Sequence, residues 1–340
     1  MNIYMVATGT NFEFYNGAEG NGVQSEAPVA TVFWAGSPIA ENGNINDKYK
    51  AISAFISTIE NWENPPLSLP SDNPASNYGQ VTLTRLGQSL ISILTQIQET
   101  CNFDTNPLSF EDIDHPYGYV LYTTTITSGG STLSAPAIRD YGYVFLNNVY
   151  QGTIAWNTNT TLVLNQAAKA GDILRILVEN MGRKCTWPGQ DYPTLERKGL
   201  FGNVTLENLQ LQNWYACGIN LTKPSVDSLT TGFLESQTML ENHPMKAVSQ
   251  PGVYAGTFTA SVIQDTFVDT TGWGKGQLFV NGYNLGRYWP TAGPQMTLYV
   301  PKPYVQQSNT ILLIELAGAQ QNYVNLINHS IININDTFVF

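Results

Sequence analysis

One stretch of this chain occurs twice. Gly142-Tyr-Val-Phe-Leu-Asn-Asn-Val-Tyr-Gln-Gly152 lines up with Gly276-Gln-Leu-Phe-Val-Asn-Gly-Tyr-Asn-Leu-Gly286, an offset of 134 (276 minus 142). In each copy an alternating run leads into Asn147-Asn148 or Asn281-Gly282, residue types that tolerate the positive φ of a two-residue hairpin turn. Further on, Thr161 to Leu164 matches Thr297 to Val300, and Ile176 to Glu179 matches Leu312 to Glu315, both at 136. The two-residue drift fits one small loop insertion. A spacing of this size belongs to whole domains, not to solenoid units of about 20–50 residues. Two copies of one β-sandwich fold are therefore expected.

The rest of the chain is organised around that repeat. Gln80 to Thr84, Tyr117 to Ile126, Tyr141 to Leu146 and Ile173 to Val178 read as strands, and Pro and Gly break the runs between them. Residues 1–60 differ. Ile3 to Val6 is a short apolar run, Gly9 to Phe12 is a turn, and Lys48 to Glu60 carries Tyr49, Ile52, Phe55, Ile56 and Ile59 at helical spacing. A strand, a loop and a helix form one β/α unit, which cannot bury its own apolar faces. Residues 61–77 are rich in Pro, Ser and Asn and read as a linker. The expected order is a β/α unit over 1–60, the linker, a first sandwich over 78–219, an ordered connecting loop over 220–250 and a second sandwich over 251–340.

The formal charge of −11 and pI near 4.6 exclude a nucleic-acid or anionic-membrane partner, since nothing would neutralise phosphates. No apolar run reaches the roughly 18 residues a membrane span needs. The start, Met1-Asn-Ile-Tyr-Met-Val, lacks the basic region of a signal peptide. Sequons nevertheless occur at Asn159, Asn203, Asn220, Asn328 and Asn335, split evenly between a secretory history and chance in an Asn-rich chain. Cys101, Cys185 and Cys217 allow at most one bridge and read first as small buried hydrophobes. His115, His243 and His329 lie far apart in sequence, so neither a metal site nor a cofactor is expected.

Gly276-Gln-Leu-Phe-Val-Asn-Gly-Tyr-Asn-Leu-Gly-Arg-Tyr-Trp289, preceded by Gly272-Trp-Gly-Lys275, resembles a segment of the family-35 β-galactosidases. Further segments resemble that family in the same order: Gly9 to Phe12 with Asn16 to Ala18, Tyr78 to Leu83, Tyr117 to Tyr122, Val178 to Arg183, and Lys198 to Val204. The resemblance implies a mainly β chain: two jelly-roll, galactose-binding-like β-sandwich domains preceded by the last β/α unit of a (β/α)8 barrel. It also implies a retaining enzyme of carbohydrate metabolism that removes terminal β-linked galactose with two glutamates about 5–5.5 Å apart. Those glutamates belong to earlier barrel strands and have no counterpart here, so the chain alone is expected to be inactive. The parent is expected to begin upstream with a signal peptide and to act in a lysosome, a vacuole or outside the cell.

Site candidates follow from the resemblance. Asn11, at the mouth of the barrel strand, either meets sugar or holds its loop, and Trp34 either stacks on a sugar face or packs inside its loop. Where the family has a Tyr-Asp-Tyr-Asp stretch with a galactose-contacting Tyr, this chain has Phe33-Trp34-Ala35-Gly36, leading into Ser37-Pro38-Ile-Ala-Glu41. Glu13 and Glu63 read as solvated loop residues. Lys275, Arg287 and Trp289 read as sandwich packing rather than a sugar site, and Arg183 as structural. The expected partner is a β-galactoside or another carbohydrate, with homo-oligomerisation left open. The alternative from another class is a non-catalytic carbohydrate-binding protein made of the two sandwiches.

Overall fold

The computed structural model describes residues 2–20, 26–33, 36–156, 158–186, 196–236 and 250–333. Near the start, β1 (Gly9–Thr10) pairs antiparallel with β4 (Val32–Phe33), and between them lie β2 (Ala18–Gly20) and β3 (Glu26–Pro28), themselves an antiparallel pair. The helix expected near residue 48 is α1 (Asp47–Ser57), begun by Asn46, whose side chain accepts from the amides of Lys48 and Tyr49. None of its residues is buried. The apolar run Ile3 to Val6 is not a strand. This segment is held by a bridge from Ala7 to Ile39 and by flanking bonds to Ile39, and a strand needs a partner along its length.

After the linker come β5 (Gly79–Thr82), β6 (Thr84–Leu86) and α2 (Leu90–Leu94). The first sandwich follows, with β7 (Asn102–Asp104), β8 (Tyr119–Thr125), β9 (Gly130–Ser134), β10 (Tyr141–Leu146), β11 (Val149–Ala155), β12 (Thr161–Ala168) and β13 (Ile173–Glu179). β14 (Lys184–Thr186) runs parallel to β2, and β15 (Thr205–Leu206), β16 (Leu209–Gln210) and β17 (Trp214–Gly218) complete the set. Its inner sheet runs β11-β10-β13-β8-β17-β7 and its outer sheet β12-β9-β15-β16. Then come α3 (Lys223–Ser236), β18 (Gly252–Thr259), β19 (Thr266–Asp269), β20 (Gly276–Val280), β21 (Tyr283–Tyr288), β22 (Thr297–Val300), β23 (Ser308–Glu315) and β24 (Tyr323–Ile327).

The second sandwich corrects an expected boundary. Its sheets run β21-β20-β23-β18-β6 and β22-β19-β24-β5. Residues 79–86, read from the sequence as the start of the first sandwich, therefore complete the second. Val253, Tyr254 and Ala255 pair with Leu86, Arg85 and Thr84, and Tyr323 to Leu326 pair with Thr82 to Gly79. The first sandwich is thus inserted between two neighbouring strands of the second.

The repeat is present in three dimensions. β10-β11 and β20-β21 are hairpins turned by Asn147-Asn148 (φ 47 and 67) and Asn281-Gly282 (φ 49 and 75). Each hairpin has its register shift at the corresponding place, Val144/Phe145 and Leu278/Phe279. Each is followed in its sheet by the matching return strand, β13 or β23, and then by β8 or β18. The extra residues of the second copy fall in the loop between β21 and β22, and a single 3-10 turn, Lys302–Tyr304, precedes β23.

The central strands of both large sheets are buried on both faces, which is why they read as continuous apolar runs. Along β13, Leu174, Ile176 and Val178 enter the core of the first sandwich, while Leu177 points the other way. Along β23, Ile311 and Leu313 enter the second core, and Leu312 and Ile314 point out. Those outward residues meet in a third core between the sandwiches, together with Tyr143, Phe145, Val253 and Phe279. α2 fills this core with Leu90, Ile91, Ile93 and Leu94, begun by a reciprocal Ser89–Ser92 capping box. α3 adds Val226 and Leu229. The expected loop over 220–250 is thus a helix through Ser236; its Ser, Thr and Gly content masked a short apolar stripe. Residues 237–249 lie outside the described residues.

Candidate functional site

The side chains with the richest chemistry sit where the two sandwiches and the first sixty residues meet. Glu179 ends β13, and Lys275 immediately precedes β20. Lys275 Nζ donates to Glu179 Oε2 at 2.8 Å, and Arg287 Nε on β21 donates to Oε1 at 2.9 Å. Tyr143 OH donates to Glu179 Oε2 at 2.9 Å. The Lys275 ammonium also lies 3.9 Å from the ring centre of Tyr141 and 4.4 Å from that of Trp289, a cation–π cage. Burial works to raise the Glu179 carboxyl, but the charges of Lys275 and Arg287 overcome it and hold the group below the usual carboxylate range. Burial pushes Lys275 down to about 8, with Glu179 opposing the shift.

This arrangement answers the reading of Lys275, Arg287 and Trp289 on geometry. Both cations are spent on a carboxylate of the neighbouring sandwich, so the cluster joins domains. Trp273 is buried, its Nε1 donating to Tyr323 O at 2.9 Å. Arg183 donates to the carbonyls of Glu196 and Pro116 and to Glu111 Oε1, and so closes a loop.

A cavity of about 290 Å³ opens beside the cluster, lined in part by Thr31, Arg287, Trp289, Pro294, Gln295 and Met296. Several of its polar side chains already have partners, while Nη1 of Arg287 is buried with no hydrogen-bond partner among the described residues. Thr31 Oγ1 donates to Arg287 O at 2.7 Å, Thr270 Oγ1 to Met296 O at 2.9 Å, and Asn16 Nδ2 to Val29 O at 3.0 Å. Gln295 accepts from the Val32 amide and donates to Thr297 O.

Asn11 is tied into the same seam. Its backbone amide donates to Thr31 O at 2.8 Å and its side-chain amide reaches Ala30 O at 3.4 Å. Trp34 and Ala35 lie outside the described residues. Glu13 and Glu63 are exposed.

Sequence reasoning passed over Glu41. Its Oε2 accepts from Thr10 Oγ1 at 2.9 Å, while Oε1 is buried with no hydrogen-bond partner among the described residues. Burial pushes its carboxyl up to about 7, with the Thr10 hydrogen bond pulling the other way. The signal was available in the apolar, Pro-containing run before it. A lone carboxylate with this environment can hold a proton but cannot form the pair that retaining glycoside hydrolysis uses.

The cysteines also depart from expectation. Cys101 and Cys217 form a disulfide across 116 positions of sequence, tying the segment before β7 to β17. Two cysteines so far apart gave no spacing signal, because only strand pairing brings them together. Among the described residues no group of three or more His, Cys, Asp or Glu could hold a metal ion, and no helix is long and apolar enough to cross a membrane.

Comparison with known proteins agrees with this architecture segment by segment. Residues 1–59 match glycosyl hydrolases family 35, residues 107–220 the first all-β domain of β-galactosidase, and residues 251–310 its galactose-binding domain. The β-galactosidase of Bos taurus is 34% identical over 336 residues, covering 94% of this chain and 49% of its own length. The human β-galactosidase is 34% identical over 337 residues, covering 94% and 48%. Beta-galactosidase 17 of Arabidopsis thaliana is 31% identical over 342 residues, covering 92% and 48%. The chain spans about half the length of the curated relatives it matches. With the resemblance running across both sandwiches and the segment before them, the chain is similar to the β-galactosidases of glycosyl hydrolase family 35 along nearly its whole length.

Proposed function

We propose that this chain is the β-rich part of a β-galactosidase, supplying the layers that carry and orient a catalytic barrel. The parent would hydrolyse terminal β-galactosides with retention, using two glutamates that lie outside this sequence. The observation that carries the reading is the match to β-galactosidases along nearly the whole chain. The geometry supports the division of labour. Glu179 is committed to Lys275 and Arg287, and Glu41 accepts from Thr10. Asn11 would act by holding the Ala30–Thr31 segment, and Trp34 is the residue proposed to stack on sugar.

An oxidising, acidic compartment, lysosomal, vacuolar or extracellular, is proposed for the parent. The Cys101–Cys217 bridge supports it, as do the exposed sequons Asn159, Asn203 and Asn328. Asn220 is half-buried, and Asn335 lies outside the described residues.

The test is an assay of the purified chain on a chromogenic β-galactoside at about pH 4–7. No turnover above buffer is expected. Turnover in the ordinary glycosidase range, roughly 1–10³ per second, would overturn the assignment of catalysis to residues outside this sequence.

A further inference from the structure

We propose that the cavity beside Arg287 is a binding site for a small carboxylate with a compact apolar body, held by the one guanidinium nitrogen that the fold leaves over. The cavity, about 290 Å³ and partly open, lies between the chain's first residues and the loop from β21 to β22. Val29, Ala30, Ala292, Met296 and Leu298 give it apolar walls, and Trp289 adds a ring. Small-molecule sites begin at about 300 Å³, so this space suits a molecule of one ring with one substituent. The Trp289 wall is held in place before any ligand arrives. The Lys275 ammonium lies 4.4 Å from its ring centre, and Tyr141 meets it edge-on at 6.0 Å.

The chemistry of the ligand follows from what Arg287 has already spent. Its side chain is only 9% exposed. Nε donates to Glu179 Oε1 at 2.9 Å and Nη2 to Asn180 O at 3.3 Å, so Nη1 is the donor left over from the planar fork. A desolvated cationic N–H without an acceptor is costly, and a ligand that supplies one recovers that cost. The charge count points the same way, since Lys275 and Arg287 share the single carboxylate of Glu179. The neighbouring acids are otherwise engaged. Glu315 accepts from the amides of Gly274, Ala317 and Gly318, and Asp140 pairs with buried Lys198 at 2.9 Å. Elsewhere on the wall, Asn16, Thr31, Thr270 and Gln295 already donate to main-chain carbonyls. One cationic donor in an apolar wall selects one anionic acceptor, and a carboxylate makes the stronger, charge-assisted bond. The apolar body then covers Val29, Met296 and Leu298.

Benzoate is the probe, with benzamide as an uncharged molecule of the same shape and galacturonate as a carboxylate on a hydroxyl-rich ring. The purified chain is titrated at about pH 6, where carboxylates are ionised. Binding is read by calorimetry and by the isotope-labelled methyl signal of Met296, identified with Met296→Leu. Benzoate is expected to saturate, to shift that methyl, and to bind about tenfold or more tighter than benzamide, the scale of one hydrogen bond to a charged group. Arg287→Lys keeps a cation for Glu179 but removes the spare donor, and should lose the preference for benzoate. Ala292→Trp adds bulk at an exposed wall position, and should weaken benzoate even if the first variant fails to fold. Benzoate no tighter than benzamide, galacturonate tighter than benzoate, or binding that leaves the Met296 methyl unmoved would each overturn the proposal. So would full benzoate affinity in either folded variant.

Discussion

Lys275 Nζ and Glu179 Oε2 are 2.8 Å apart, although one belongs to the second sandwich and the other to the first. Arg287 approaches the other oxygen of the same carboxylate, so two buried cations share one anion. The partners are therefore unequal. Glu179→Gln leaves both cations without a counter-charge and is expected to cost about 3–5 kcal/mol, the range for breaking a buried pair. Lys275→Met leaves Glu179 paired with Arg287 and should cost clearly less. Urea denaturation of the two variants side by side checks the order; equal losses would contradict it.

The Cys101–Cys217 bridge closes a long loop. In the chain-entropy account, a closed loop of about 100 residues stabilises by about 4.7 kcal/mol. Replacing both cysteines by alanine is expected to lower stability by up to that amount. Denaturation of the oxidised chain, the reduced chain and the variant measures it. Reduction and substitution should give matching losses.

Glu41 predicts the direction of a pH dependence. Its carboxyl, normally at 4.5, stands at about 7 in the folded chain. A raised carboxylate binds its proton more tightly when folded, so its contribution is present at low pH and is lost as pH rises from about 4.5 through 7. The effect is about 1–3 kcal/mol, at about 1.36 kcal/mol for each tenfold gain in proton affinity. Melting temperature is expected to fall between pH 5 and 7.5 at about constant ionic strength, and Glu41→Gln should flatten that fall. Glu179 acts oppositely: its lowered carboxyl stabilises above its normal value and loses that contribution as acid protonates it.

Gly182 sets how the first residues dock. It sits at φ +110, and a Cβ there would lie 2.4 Å from Asn16 O and 2.8 Å from the carbonyl carbon of Gly17. Backbone cannot yield as a flexible side chain does. Gly182→Ala is expected to cost more than about 1 kcal/mol and to expose residues 10–20 to protease before either sandwich is cut. Limited proteolysis with mass mapping checks this; an unchanged cleavage order would contradict it.

Much of the fold was legible because the repeat carried its own turn chemistry. Asn147-Asn148 and Asn281-Gly282 announced hairpins, and the same register shift follows in both. What stayed hidden depends on contacts distant in sequence. Thr84 to Leu86 gave no sign of joining Val253 to Ala255 across the whole first sandwich. α3 was hidden because its burial comes from a core between domains and not from a strong local pattern. At the candidate site, Arg287 was legible as a partner for a carboxylate, but not that Glu179 would supply it. Glu41 was invisible as a proton-holding group, since desolvation belongs to the packed chain and not to the residue.

The insertion of one sandwich into the other has a consequence for the order of synthesis. When β5 and β6 leave the ribosome, their partners β24 and β18 have not yet been made. Until then these two strands expose unpaired edges, the kind of surface that invites misassembly. The first sandwich has all its strands earlier and can close while the outer one is still waiting. By closing, it brings Leu86 near the point where Gly252 will emerge. A variant that slows the inserted sandwich should therefore harm the surrounding one most, and the damage would surface as aggregation during production, far from the altered residue.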